Sequence, residues 1–135
     1  MKIASASEVT YEEEYHTARH HQHINEDYYT ARAKIAIKKF FSEIDINLSI
    51  LDYGCGMGQN MSLLPNARGY DISKFSVSFC KDKGLNATND INDVPDESCD
   101  HVFSSHVLEH HPHPKTMIEE MRAKLKMGND LLLII

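Results

Sequence analysis

The chain has 135 residues, 41% of them hydrophobic and 25% charged, and this composition predicts one globular domain and excludes a disordered or fibrous protein. The formal net charge is −6 and no basic stripe occurs, so nucleic acid is not expected as a partner. No apolar run approaches the roughly 20 residues of a membrane span, and residues 1–20 are too polar for a signal peptide. A cytoplasmic protein without membrane contact is therefore expected.

The N-terminal third of the chain predicts an arm followed by a helix. Residues 1–24 lack a clear apolar period and are interpreted as an arm or lid, and residues 25–135 as the folded domain. Asn25 can cap a helix in which apolar residues recur at roughly helical spacing to about Ile44.

A short apolar strand at Ser49–Tyr53 is followed by glycines at 54, 56 and 58. Such a run is needed where the backbone turns sharply and a ligand approaches closely. Strand-to-helix turns of this kind bind nucleotide-like cofactors, because free backbone N–H groups meet the N-terminus of the next helix. A short helix is predicted to follow, from about Gln59 to Pro65.

Strands and helices then alternate to the end of the sequence. The predicted elements are a strand at Arg68–Tyr70, a helix that Ser73 caps and Gly84 ends, a weak strand at Leu85–Thr88, a polar loop at Asn89–Ser98, a strand at His101–Ser105, a helix that Pro112 and Pro114 introduce and Gly128 follows, and a strand at Leu131–Ile135. This alternation predicts an α/β fold with a doubly wound parallel sheet. The last strand would expose an apolar edge, so either a homodimer covers that edge or the sequence is a fragment.

The segment Leu51–Gly58 resembles the first motif of class I S-adenosylmethionine-dependent methyltransferases, which reads apolar, Asp, any, Gly, Cys or Ser, Gly, any, Gly. A dinucleotide fingerprint would need glycine where this chain has Gln59. Three further segments follow in the family's order: Gly69–Ser73, Asn89–Ile91, and Asp100–His110, which ends in Leu-Glu-His. The resemblance implies a Rossmann-like sheet of strand order 3-2-1-4-5 with helices on both faces, here without the family's C-terminal hairpin strands.

The resemblance also implies S-adenosylmethionine as cofactor and S-adenosylhomocysteine as product. The residues that it places at the cofactor are Asp52, Gly54, Cys55, Gly56, Gly58, Asn60, Asp71, Ile72, Asp90, Ile91, Ser104 and Ser105. Asp71 would accept from both ribose hydroxyls, since a carboxylate can accept from two vicinal donors, and Asp90 would accept from the adenine amino group. Asp52 would either lie close to the cofactor's amino group or hydrogen-bond the loop itself.

Histidines carry the remaining ambiguity. His106 and His110, with Glu109 between them in sequence, are the candidate catalytic residues, because a histidine can take a proton from an incoming nucleophile near neutral pH. A hydrogen bond that stabilises the loop is an equal alternative for His110. Histidines in the arm and after the fourth strand could hold zinc or nickel, but a solvated cluster is more common and no metal is expected.

The function hypothesis is methyl transfer from S-adenosylmethionine to a small-molecule acceptor. The alternative from another class is a non-catalytic cofactor-binding module, or an inactive partner subunit of a methyltransferase. An oxidoreductase with a nucleotide cofactor is a third reading, which the displaced third glycine disfavours.

Overall fold

A computed structural model describes residues 25–134, so the predicted arm at 1–24 lies outside the described residues. The regular elements are α1 (Glu26–Lys39), β1 (Ile50–Tyr53), β2 (Ala67–Tyr70), α2 (Lys74–Asp82), β3 (Ala87–Thr88), β4 (His101–Ser105), α3 (Pro114–Lys124) and β5 (Leu131–Ile134). Short 3-10 turns cover Ile91–Asp93 and Leu108–His110. No helix of the described part is both long and apolar enough to cross a bilayer.

The five strands form one parallel sheet of order β3-β2-β1-β4-β5, which confirms the predicted topology. In the centre, Asp52 on β1 stands opposite Gly69 on β2 and Phe103 on β4. The strand order reverses between β1 and β4, and ligands of open α/β sheets bind at the carboxyl ends of the strands beside such a switch point. The glycine run and the Leu-Glu-His segment follow these two strands.

The sheet is covered on both faces, as a parallel sheet requires. Alternation along β1 sends Ile50 into one apolar cluster and Leu51 into the other. The first cluster includes Ala36 of α1 and residues of α2, while the second includes Met117 and Met121 of α3. Helices therefore hold the central strands from both sides and fix where their carboxyl ends emerge.

The predicted helix caps are confirmed. The Asn25 side chain accepts hydrogen bonds from the first turn of α1, and the Ser73 side chain accepts from the N–H of Ser76 at the start of α2. Gly84 adopts a left-handed φ of +82° just after α2. Both caps orient helices that pack beside the glycine loop.

The prediction of a helix over residues 59–65 was wrong, because this segment forms successive turns. The N–H of Met61 donates to the carbonyl of Gly58 at 3.3 Å, and the N–H of Leu64 donates to the carbonyl of Met61 at 2.9 Å. Only about six residues separate the last loop glycine from Pro65, too few to repay the cost of nucleating a helix.

The first helix ends at Lys39 and not near Ile44. Phe41 lies beyond its end, yet it is buried and its ring packs 4.9 Å from that of Phe103, centroid to centroid. The apolar pattern continues past the helix because turn residues also reach the core.

Two later elements are shorter than predicted. β3 consists only of Ala87–Thr88, and α3 ends at Lys124, four residues before Gly128. The N–H of Lys126 donates to the carbonyl of Cys99 at 2.8 Å, so the chain has already turned towards the sheet there. β5 follows at one edge of the sheet, and the homodimer across it stays a prediction.

Candidate cofactor and acceptor site

The glycine loop has the backbone that the sequence predicts. Gly54, Gly56 and Gly58 have φ values of +79°, +54° and +82°, which side-chain-bearing residues rarely adopt. A Cβ on Gly54 would lie 2.3 Å from Val107 Cγ2, and one on Gly58 would lie 2.7 Å from Leu85 Cδ1. A Cβ on Gly56 would have nothing within 4 Å. Gly54 and Gly58 thus serve packing, while Gly56 faces space that a ligand can use.

Asp71 ties this loop to the end of β2. One carboxylate oxygen accepts from the N–H of Gly56 and the other from the N–H of Ser73, both at 2.9 Å. The carboxyl is buried, which raises its pKa, and the two N–H donors act in the opposite direction. Each carboxylate oxygen has a second lone pair, so Asp71 can hold the loop and still accept from ligand hydroxyls.

Asp52 is the most unusual group of the site. Its residue is only 2% exposed, and Oδ2 has no hydrogen-bond partner among the described residues. Burial, and secondarily the negative charge of Asp71, raise the pKa of Asp52 to about 8. A buried carboxyl group with an unpaired oxygen is stabilised by a cationic group or a hydrogen-bond donor next to it.

Within residues 25–134, three buried side-chain oxygen or nitrogen atoms have no hydrogen-bond partner: Asp52 Oδ2, Asn60 Oδ1 and His110 Nδ1. Each orphaned buried polar atom costs about 1–3 kcal/mol, so native proteins keep few of them without a reason. All three belong to residues that the sequence predicts for cofactor or acceptor binding. With the open space at Gly56, they provide unpaired polar atoms of the kind that a polar cofactor with amino and hydroxyl groups requires.

Sequence reasoning missed the residues that brace the loop. The hydroxyl of Tyr29 on α1 donates to the carbonyl oxygen of Met57 at 2.8 Å. The thiol of Cys80 on α2 donates to the carbonyl oxygen of Gly56 at 3.3 Å. Tyr29 shares a buried helix face with Ala33 and Ala36, a spacing that could have marked it as facing inwards.

Cys55, predicted to contact the cofactor, lies in the loop as a buried thiol. Its hydrogen bond with Cys80 and its burial raise its pKa well above the ordinary value. It therefore stays a neutral thiol and is unsuited to act as a nucleophile.

The predicted adenine side is formed by the segments after β2 and β3. Ile72 is 63% exposed directly beside Asp71, while Ile91 is half-buried. The Asp90 carboxylate accepts from the N–H of Asn92 at 3.0 Å and so caps a 3-10 turn. An exposed isoleucine next to a buried acid suits a flat apolar ring, and the adenine contact of Asp90 stays a prediction.

At the end of β4, Ser104 and Ser105 were also predicted to contact the cofactor. Ser104 is buried, and its hydroxyl donates to the carbonyl of Tyr53 at 2.9 Å, which ties β4 to β1 across the switch point. Ser105 is half-buried at the strand end. Their contact with the cofactor stays a prediction.

The candidate catalytic residues lie together after β4. Oε1 of Glu109 is 3.7 Å from Nδ1 of His106 and 3.8 Å from Nε2 of His110. His106 has a left-handed φ of +57°, a conformation uncommon outside glycine that histidine, asparagine and aspartate adopt more often than other residues. In the described part of the chain, no group of three or more His, Cys, Asp or Glu side chains is placed to hold a metal ion.

This geometry defines a Rossmann-like domain with a cofactor loop at its switch point. A family model described as "Methyltransferase domain" matches residues 51–133, more than half of the chain. The chain therefore belongs to this family, the class I methyltransferases, whose cofactor is S-adenosylmethionine. The search of curated proteins found no match.

Solved structures agree on the fold. An S-adenosylmethionine-dependent methyltransferase from Archaeoglobus fulgidus is 22% identical with a TM-score of 0.61, over 83% of this chain and 56% of that one. A chain from the complex of the Haloferax volcanii Trm112 methyltransferase activator with a candidate methyltransferase is 23% identical with a TM-score of 0.66, over 87% and 57%. A Thermotoga maritima protein described as a possible histamine N-methyltransferase is 16% identical with a TM-score of 0.65, over 83% and 57%. The chain spans little more than half the length of these structures.

Proposed function

We propose that this domain binds S-adenosylmethionine at the glycine loop and transfers its methyl group to a small-molecule acceptor. The observation that carries the proposal is the set of buried polar atoms without partners, on Asp52, Asn60 and His110, together with the open space at Gly56 in the cofactor loop. The methyltransferase-domain match supports the donor. The description of the Thermotoga neighbour, which names a small amine, supports an acceptor of that size.

Each part of the cofactor has a suitable group in the chain. The Asp52 carboxyl suits the cationic amino group, Asp71 suits the ribose hydroxyls, and Ile72 suits the adenine ring. When bound, the cofactor supplies a methyl group already activated by its attachment to a sulfonium. The protein's task is then to hold the two reactants in line and to exclude water, and positioning of this kind can supply most of an acceleration.

Two glycines allow a matched binding test by calorimetry with S-adenosylhomocysteine. Gly56 and Gly128 both have positive φ, +54° and +83°, and both have nothing within 4 Å of an added Cβ. Alanine at either position should therefore cost a similar 1–2 kcal/mol or so of backbone strain. We expect only Gly56→Ala to weaken product binding, by at least about tenfold, because its methyl group enters the ligand space.

The proposal fails if the folded wild-type domain gives no heat with S-adenosylhomocysteine at high micromolar concentration. It also fails if Gly56→Ala and Gly128→Ala bind the product equally well. Binding without turnover of S-adenosylmethionine on any acceptor would favour the alternative, a non-catalytic cofactor-binding module.

A further inference from the structure

A buried tyrosine of α1 holds the backbone of the glycine loop. Tyr29 is only 3% exposed, and its hydroxyl donates to the carbonyl oxygen of Met57 at 2.8 Å. The same hydroxyl oxygen would lie 3.3 Å from a Cβ on Gly58, whose φ is +82°. Tyr29 therefore contacts the peptide unit between Met57 and Gly58, at a point where the loop adopts a left-handed conformation.

Tyr29 is also the largest of the buried side chains that dock α1 on the domain. The fully buried residues of α1 are Tyr29, Ala33 and Ala36. A buried tyrosine removes about 150–250 Å² of surface from water, whereas an alanine has a single methyl group to bury. Ile37 packs against the first apolar cluster but stays half-buried. The docking of α1 therefore depends on the same side chain that reaches the loop.

Lys83, just after α2, joins the two helices over the Tyr29 ring. Its Nζ lies 4.2 Å from the centroid of that ring and 2.5 Å from Oε2 of Glu26, in the first turn of α1. An ammonium group over the face of an aromatic ring is attracted to it. The first turn of α1 is thus bound to α2 through Lys83 and to the glycine loop through Tyr29, so α1 cannot leave without releasing the Met57 carbonyl.

From these contacts we infer that Tyr29 is a positioning residue for S-adenosylmethionine, through which docking of α1 and occupation of the glycine loop stabilise each other. The inference rests on the proposed function and adds a residue that acts through the loop backbone. With α1 docked, the Met57 carbonyl keeps its donor and the loop keeps the conformation of the cofactor site. With α1 undocked, the loop is free to adopt other conformations, because its glycines restrict the backbone least.

The coupling between helix and loop is reciprocal. A ligand stabilises one of two states only by the ratio of its affinities for them. If undocking of α1 weakens cofactor binding by a given factor, the bound cofactor must suppress undocking by the same factor. Couplings between sites are usually about 5–150-fold, and we expect at least about fivefold here, because a buried hydrogen bond joins the helix to the loop.

Hydrogen exchange of the α1 amides measures this coupling directly. Exchange by local opening of α1 should slow at least about fivefold when the wild type is saturated with S-adenosylhomocysteine. Tyr29→Phe keeps the ring but lacks the hydroxyl, so this slowing should be lost. Each protein is measured at about 100 times its own dissociation constant, which suppresses global unfolding equally in all of them.

Tyr53→Phe is the matched control. Tyr53 is also buried, at 5% exposure, and its hydroxyl also donates a hydrogen bond, to Oε1 of Glu120 at 2.5 Å. Tyr53 directly precedes Gly54, but its hydroxyl bonds to α3 and not to the loop. We expect Tyr53→Phe to lose stability as Tyr29→Phe does, yet to keep the wild-type slowing of α1 exchange.

Calorimetry with S-adenosylhomocysteine is the second readout. Tyr29→Phe should bind the product at least about fivefold more weakly than the wild type, whereas Tyr53→Phe should bind it within about twofold of the wild type. A merely structural role of the Tyr29 hydroxyl would lower the stability of both variants and leave their affinities equal.

The outcomes separate the two proposals. A folded wild type that gives no heat with S-adenosylhomocysteine would overturn the proposed function, and the coupling with it. Normal binding with unchanged α1 exchange in the wild type would overturn only the coupling, as would equal affinity or equal slowing in Tyr29→Phe and Tyr53→Phe. The wild-type measurement decides the question even if a variant fails to fold.

Discussion

If Asp52 meets the cationic amino group of the cofactor, as proposed, cofactor binding is a proton-linked reaction. In the free domain the carboxyl of Asp52 is fully buried, Oδ2 has no partner among residues 25–134, and its pKa is raised to about 8 by burial first and by Asp71 second. A cationic amino group brought next to this carboxyl would favour the ionised form. Binding below pH 8 should therefore release a proton from Asp52.

The magnitude follows from the titration of Asp52 alone. With a pKa of about 8, only about one carboxyl in eleven is ionised at pH 7 and about one in three hundred at pH 5.5. If only the ionised form binds well, affinity should rise about 30-fold between these pH values, equivalent to about 2 kcal/mol. Tyr29 and Cys55, which the charge of Asp52 affects, do not titrate in this window, because their pKa values are both raised above their ordinary ranges.

Calorimetry with S-adenosylhomocysteine measures both quantities. Titrations from pH 5.5 to 7, each in two buffers of different ionisation enthalpy, should show the rise in affinity and a release of about 0.9 protons at pH 7. Asp52→Asn should bind with a flat pH profile and release no proton. A wild-type affinity that changes less than about threefold over this range, with no buffer-dependent heat, would refute the reasoning.

The same group gives the free domain an opposite pH dependence of stability. A carboxyl with a raised folded-state pKa ionises first in the unfolded chain, so unfolding becomes easier as pH rises from about 4 to about 8, by at most about 1.4 kcal/mol per unit. Chemical denaturation should show this decline in the wild type and a shallower one in Asp52→Asn, where Asp71, whose pKa burial also raises, remains. Cofactor binding would offset it, since the bound state accommodates the ionised carboxylate.

Two further variants test the rest of the cofactor site. Asp71→Asn leaves one side-chain oxygen for the two backbone N–H donors of Gly56 and Ser73. We therefore expect a loss of about 1–3 kcal/mol in the free energy of unfolding and at least about tenfold weaker binding of S-adenosylhomocysteine. Asp82→Asn, at an exposed position, is the control in both the denaturation and the calorimetric experiment. Ile72→Ala should leave stability within about 0.5 kcal/mol, because the side chain is 63% exposed, yet weaken product binding several-fold by removing apolar contact with the adenine ring. Ile35→Ala, exposed on α1, should change neither quantity, and equal product affinity of the two alanine variants would contradict the assignment of Ile72.

Topology was predictable from the sequence because its signals are local and repeated. Short apolar runs mark buried strands, and capping side chains mark the starts of α1 and α2, so the order β3-β2-β1-β4-β5 follows once the family resemblance is recognised. Boundaries were less predictable. Phe41 and Lys126 lie outside helices because core packing and a bond to Cys99 fix them, and neither contact can be read from neighbouring residues.

Individual functions were only partly predictable. The sequence indicates that Gly54, Gly56 and Gly58 all need a left-handed backbone, but it does not show that packing requires two of them and that Gly56 alone faces open space. Likewise, Ser104 looks like a ligand residue, whereas its hydroxyl joins β4 to β1. These distinctions depend on residues far away in sequence, such as Val107 for Gly54.

Under the proposed function, the positions of the unpaired atoms would separate the methyl-donor site from the acceptor site. Asp52 and Asn60 belong to β1 and to the segment after it, while His110 belongs to the segment after β4, so the free polar groups stand on either side of the switch point. The bond from Ser104 to Tyr53 fixes the spacing of the two strands, and Val107 fixes the β4 segment against the glycine loop. Under the proposed function, changes in the segment after β4 could therefore alter the acceptor without disturbing the cofactor loop, provided that the contact between Val107 and Gly54 is kept.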